Sequence, residues 1–340
     1  MFKNNPHKSV IIWLLTGCLL IFLMVVIGGI TRLTESGLSM VDWKLFMGMV
    51  PPLSEQDWIE TFNKYKQFPE YQEVNFMFTL EEFKAIFFWE YLHRFIGRIL
   101  GLVFILPFIY FLLAKKIKGK LFKQSLIILV MGAFQGFLGW WMVKSGLVDN
   151  PDVSHYRLAI HLIAAFLTFA YTFWVALSLI YKDTERPNVP FYRKWIAVLF
   201  VVTTLQIIYG AFVAGLNAGF IMNTYPKMGD SWFPESITAM QPVWINFIDG
   251  ISGVQFVHRT LAHIVVALVL FLLLKSSTYE LNKIQTKSLI GLLVIVFVQF
   301  MLGIFTLLYA VPVWLGVTHQ VGAFFLLGTV VYTMSSFRKV

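Results

Sequence analysis

The sequence predicts an all-α polytopic membrane protein of eight transmembrane helices, arranged as two tandem four-helix bundles. Three observations lead there. Of its 340 residues, 58% are hydrophobic and 13% charged, with 34 Phe and 11 Trp, more apolar surface than a water-soluble domain of this length uses. The apolar residues fall into eight runs of about twenty, each long enough to cross a hydrocarbon core of about 30 Å. Polar landmarks in the first four runs return, in the same order, in the last four.

The runs cover about 10–30, 86–113, 124–143, 158–181, 194–215, 251–274, 286–311 and 314–336. The first is too long for a signal-peptide core and lacks a small-x-small cleavage site, so it reads as a span. It holds the single cysteine, Cys18, which excludes intrachain disulfides and Cys-ligated metal sites. In the long loop at about 31–85, Ser54-Glu55-Gln56-Asp57 and Thr79-Leu80-Glu81-Glu82 both read as capping boxes. The first opens a short amphipathic helix bearing Trp58, Phe62 and Tyr65, and the second opens the second span outside the membrane. The turn Val311-Pro312-Val313 separates the last two spans.

Sixteen of the 27 Lys and Arg residues fall at the N-terminus, in the loops after the second, fourth and sixth spans, and at the C-terminus. Eight fall on the opposite side, in much longer loops. The positive-inside rule then places both termini in the cytoplasm, with the chain in the cell (inner) membrane. These short loops account for the +9 charge without a groove-sized basic patch, which argues against nucleic acid as a partner.

The stretch Glu90-Tyr91-Leu92-His93-Arg94-Phe95-Ile96-Gly97-Arg98 puts a carboxylate, an imidazole and two guanidiniums at the head of an apolar helix. Such groups cost a few kcal/mol each at membrane depth and mark function. Glu90 and His93 share a helix face, and Arg94 and Arg98 are i,i+4 neighbours. The landmarks recur with falling offsets. Gly28–Met40 returns weakly as Gly210–Met222, His93-Arg94 as His258-Arg259, Gln135-x-x-Leu138-Gly139 as Gln299-x-x-Leu302-Gly303, and His161 as His319. A repeat of four spans inserts both halves the same way up, related by a pseudo-twofold axis along the membrane normal. The halves are 1–185, with the long outer loop, and 186–340. The four histidines then lie at similar depth, one pair per half.

Two imidazoles facing one another inside a four-helix bundle are suited to hold a heme iron axially. Gly, Leu and Phe walls suit the macrocycle, and Arg94, Arg98 and Arg259 suit its propionates. His7 and His155 read as solvated loop or tail residues. His263, five positions after His258, turns away from the ligand face. The glycine groups Gly132/Gly136/Gly139 and Gly210/Gly215/Gly219 read as close helix packing. The halves differ at Glu90, whose counterpart is Gln255. An acid one turn from a heme ligand can transfer a proton and an amide cannot, so Glu90 is the candidate catalytic group, with the Arg94 salt bridge as its structural alternative.

These residues resemble the heme A synthase family of the mitochondrial and alphaproteobacterial type. The matching stretches are GGITRLTESGLSMVDW (Gly28–Trp43), EYLHRFIGR (Glu90–Arg98), YRLAIHL (Tyr156–Leu162), NTYPKM (Asn223–Met228), QFVHR (Gln255–Arg259) and THQVGA (Thr318–Ala323). The resemblance implies oxidation of the C8 methyl of heme O, through a hydroxymethyl, to the formyl group of heme A used by cytochrome oxidase. It implies a resident heme b on His258 and His319, the substrate heme on His93 and His161, and Glu90 as a functionally important acid. A related branch carries cysteine pairs in its outer loops and this chain has none there, which leaves the electron donor open. The partners in view are heme O, the lipid bilayer, a heme O synthase, an unidentified donor and further copies of the chain. A bis-heme cytochrome drawing electrons from quinol would use the same four histidines, and a repeat-built transporter would explain the duplication but not the clustering of charge toward one face.

Overall fold

The computed structural model describes residues 5–41, 50–148, 151–181 and 186–339. Asp42-Trp43, at the end of the first matching stretch, and Lys3 and Lys182 of the basic side lie outside the described residues. The long helices are α1 (Lys8–Leu33), α3 (Leu80–Leu113), α4 (Gly119–Val143), α5 (His155–Ile180), α6 (Pro190–Gly215), α7 (Ile251–Leu274), α8 (Lys283–Leu308) and α9 (Val313–Ser336). A short helix, α2 (Glu55–Tyr65), stands between the first two. All eight long helices have the length and hydropathy to cross a membrane. Among the described residues there is no strand, only a bridge between Met228 and Ser231.

The helices begin where sequence chemistry supplies a stop for their free N–H groups. Ser54 and Asp57 form a reciprocal capping box on α2, and Thr79 and Glu82 do the same on α3. Starting at Leu80, the 34 residues of α3 reach about 51 Å at 1.5 Å each, longer than the roughly 30 Å of a hydrocarbon core. A third box, Asn282 with Gln285, opens α8. The Gln285 amide also donates to Pro187 O and Ser336 O, joining the basic-side ends of three helices. Pro190 starts α6 at a position whose N–H would be free anyway. The span predicted to reach 311 ends at Leu308, because Ala310 and Val311 both take left-handed φ angles of 54° and 55° before Pro312 caps α9.

α2 folds the segment between α1 and α3 onto α3. Phe62, Tyr65, Phe83, Ile86 and Phe87 form a buried cluster with Trp58 against it. The two sets of four long helices meet along α1, α5, α6 and α9. Cys18, Ile21, Phe166, Phe169, Ile207, Phe324 and Leu327 share one core there, with the rings of Phe169 and Phe324 centred 3.9 Å apart. A polar stitch crosses the same seam, from Gln320 Nε2 to Val25 O at 2.9 Å.

Candidate functional site

Each of the four paired histidines, His93, His161, His258 and His319, rests on a glycine of an adjoining helix. A Cβ built at Gly28 of α1 would stand 3.0 Å from His93 Cε1 of α3, and one at Gly139 of α4 would stand 3.4 Å from His161 Cε1 of α5. In the second half the corresponding distances are 3.2 Å from Gly210 of α6 to His258 of α7, and 2.9 Å from Gly303 of α8 to His319 of α9. A glycine inside a helix costs up to about 1 kcal/mol relative to alanine, and here close approach of an imidazole requires it. The other glycines singled out in the sequence divide. Gly215 meets His155 and Gly219 meets Val311, whereas Gly132 and Gly136 face open space.

The second pair converges. The His258 and His319 rings are centred 6.4 Å apart, with planes at 83°. A metal–imidazole bond is about 2 Å long, and a ring nitrogen lies about 1 Å from its ring centre, so two imidazoles on one axial metal are centred about 6 Å apart. The pair fits that separation. The Gln206 amide nitrogen stands 3.4 Å from His258 Nε2. Nδ1 of His93, His161, His258 and His319 are all buried without a hydrogen-bond partner, an unusual state for a buried polar atom. Among the described residues no group of three or more His, Cys, Asp or Glu could hold a bare metal ion. Two imidazoles alone suit an iron whose other positions are filled by a macrocycle.

Glu90 and Gln255 occupy matching brackets of opposite polarity. Glu90 is 3% exposed. Its Oε2 accepts from Ser39 Oγ and from Met40 N, each at 2.7 Å, and its Oε1 accepts from Arg94 Nη2 at 2.6 Å. The same Arg94 nitrogen donates to Met40 O at 2.8 Å. In the other half Gln255 Nε2 donates to Ala218 O and Ile221 O, each at 2.8 Å, and its Oε1 accepts from Arg259 Nη2 at 3.0 Å. That arginine in turn donates to Met222 O at 2.7 Å. The loop after α1 offers donors and meets an acid, and the loop after α6 offers carbonyls and meets an amide. This complementarity accounts for the Glu/Gln difference structurally, and the salt bridge to Arg94 is present.

Two of the predicted cationic residues, Arg94 and Arg259, hold loops. Arg259 Nη1 donates to Thr224 O and Lys227 O in addition to the Met222 contact, and its Nε is buried without a partner. Arg98 lies one turn beyond Arg94 on α3, half-buried. His155 corrects the sequence reading. It is not solvated but packs on Phe212, with Nε2 3.1 Å from Ile248 O and 3.2 Å from Asp249 Oδ1. The partner loop lies 93 residues away, so nothing local signalled it. His263 does turn aside, to Arg259 O and Tyr225 OH. Ser39, Gln206 and the four cradle glycines were missed as site residues, although the repeat had already aligned Gly28 with Gly210 and Gly139 with Gly303.

The comparisons with known proteins agree with one another. The sequence model of a family described as cytochrome oxidase assembly protein (COX15-CtaA) matches residues 11–331. A heme A synthase of Flavobacterium psychrophilum is 58% identical over 341 residues, covering 99% of this chain and 100% of that protein. A heme A synthase of Flavobacterium johnsoniae is 55% identical over 99% of this chain and all of its own length. An alphaproteobacterial relative of the same name, from Parvibaculum lavamentivorans, is 41% identical over 98% of this chain and 95% of its own.

Proposed function

The chain belongs to the cytochrome oxidase assembly protein family, and from that premise we propose how its two histidine pairs divide the work. Its activity is that of an oxidoreductase converting heme O to heme A, with heme O as substrate. In this reading His258 and His319 hold a resident heme b, and His93 and His161 receive the substrate. The observation that supports it best is the 6.4 Å separation of the His258 and His319 rings. When bound, the resident heme would supply one-electron transfer.

The chain's own groups orient the substrate and handle its protons. The cradle glycines fix where each imidazole stands. Glu90 is the proposed proton-handling group, one turn N-terminal to His93. Its Oε2 already accepts two bonds, from Ser39 Oγ and Met40 N, whereas Oε1 accepts only one, from Arg94, so Oε1 keeps a lone pair for a proton. Arg94, Arg98 and Arg259 are the proposed partners of the propionates. The paired brackets and cradles support two bundles, 1–185 and 186–340, about a pseudo-twofold axis. The lysine distribution supports both termini being cytoplasmic in the inner membrane.

The test is extraction and chromatography of hemes from membranes carrying this protein with a heme O supply. Heme A, with hydroxylated heme as a lesser species, is the expected product. Heme b alone beside untouched heme O, with a competent donor present, would instead indicate an electron-transfer cytochrome. His258→Met or His319→Met should disturb the resident heme spectrum. Substitution of His93, His161 or Glu90 should leave that spectrum and stop turnover, and full product formation by Glu90→Ala would sink the proton-handling role.

A further inference from the structure

On the lysine-rich face, where the two termini come together, lies a cleft of about 560 Å³ with no role in the chemistry above. His7, Lys115, Lys116, Lys118, Lys120 and Arg338 line it, and Gln124 and Ser178 add neutral hydrogen-bonding groups. Its four lysines and Arg338 bring five positive charges together, and no carboxylate lines the cleft among the described residues.

Two further features suit an anion. α4 begins at Gly119 with no side-chain cap and no acid in its first turn, so no acidic side chain of the helix itself answers the positive end of its dipole between Lys118 and Lys120. The positive-inside rule explains why lysines lie on this face, but not why five charges should enclose one cavity beside an uncapped helix. Alongside, Tyr110, Leu112 and Leu113 near the end of α3 and Leu126 and Ile127 on α4 are exposed apolar residues. The cationic cleft thus adjoins a surface that faces acyl chains. We propose that this cleft binds the phosphate headgroup of an anionic phospholipid, its acyl chains lying against α3 and α4. Clustered Lys and Arg at the mouth of a transmembrane bundle recognise such headgroups, each adding about fivefold in affinity.

Native mass spectrometry of the purified full-length protein, titrated with phosphatidylglycerol or phosphatidylcholine, tests this. Phosphatidylglycerol should bind at least tenfold more tightly. Lys118→Gln with Lys120→Gln should weaken it roughly twenty-five-fold. Lys283→Gln with Lys287→Gln, on the same face at the start of α8, should leave it unchanged. Equal binding of the two lipids, or equal loss from both pairs of substitutions, would show general surface attraction and overturn the site. Inorganic pyrophosphate binding as tightly as phosphatidylglycerol would assign the cleft to a free phosphate and overturn the lipid. If the Lys118/Lys120 variant does not accumulate, lipid selectivity and pyrophosphate competition in the unaltered protein decide alone.

Discussion

A methyl group is the smallest perturbation that can test the imidazole cradles. Gly303→Ala would place its Cβ 2.9 Å from His319 Cε1, closer than carbon atoms pack, so the ring must shift or tilt. The expected outcome is a changed low-spin heme signal and a shifted Soret band, with the amount of folded protein little changed. Gly291→Ala on the same helix meets nothing within 4 Å and should leave the spectrum alone while adding up to about 1 kcal/mol of helix stability. The Glu90 and Gln255 brackets make a second residue-scale prediction. Gln255→Glu would set carboxylate oxygen against Ala218 O and Ile221 O at the 2.8 Å now spanned by donated hydrogens. Losing two buried bonds and burying a charge should cost about 3–5 kcal/mol, read as a lowered unfolding temperature of the detergent-solubilised protein. Ser39→Ala removes one of the three donors to Glu90 and should cost only about 1–2 kcal/mol. The identity of Glu90 and Gln255 was legible in the sequence. The polarity of the loops they face was not, because backbone donors and acceptors look alike in one-letter code.

Helices were the most legible elements, since apolar runs and capping boxes are local signals. Ser54–Asp57 and Thr79–Glu82 cap as read, and the eight spans stand within a few residues of their expected positions. The segment between α1 and α3 was less so, because its core is assembled from α2, the π-helical turn Glu70–Val74 and the head of α3. That core buries an acid. Glu70 is 6% exposed and accepts from Tyr65 OH at 2.9 Å, and Asn75 donates to the same hydroxyl at 2.8 Å. Burial above all, with the charges of Glu90 and Glu35 adding and the Tyr65 bond opposing, pushes its carboxyl up from 4.5 to about 8. The folded segment therefore holds a proton that the unfolded one has released between these values. Stability contributed by this group must fall as pH rises from about 4.5 to about 8 and level off beyond. Glu70→Gln keeps the acceptor and removes the titration. Tryptic cleavage after Lys64 and Lys66 should match in the two proteins at pH 5, and at pH 8 should be faster in the unaltered one. Equal rates at both pH values would show that Glu70 is ionised in place.

At the scale of the whole molecule, the question is whether the two sets of four helices answer to one another. The seam is built from both: α9 carries His319 in its N-terminal half, and one residue on, Gln320 reaches across to Val25 of α1. Gly29 of α1 accommodates that reach, since a Cβ there would stand 3.0 Å from Gln320 Oε1. Four and five residues beyond Gln320, Phe324 and Phe325 pack on Phe22, and Phe324 also packs on Phe169. A group that binds only the folded second half stabilises whatever is mechanically continuous with it. If the proposed resident heme sits on His258, its loss in His258→Met should therefore relax more than α6–α9. Hydrogen exchange should quicken in α9 first, and then in the stretches of α1 and α5 around Val25 and Phe169. α4 packs away from the seam among residues of α1, α3 and α5 and should keep its protection. Faster exchange confined to α6–α9 would mean that the bundles open independently. In that case the close-packed seam fixes the spacing of the two histidine pairs without transmitting the state of one to the other.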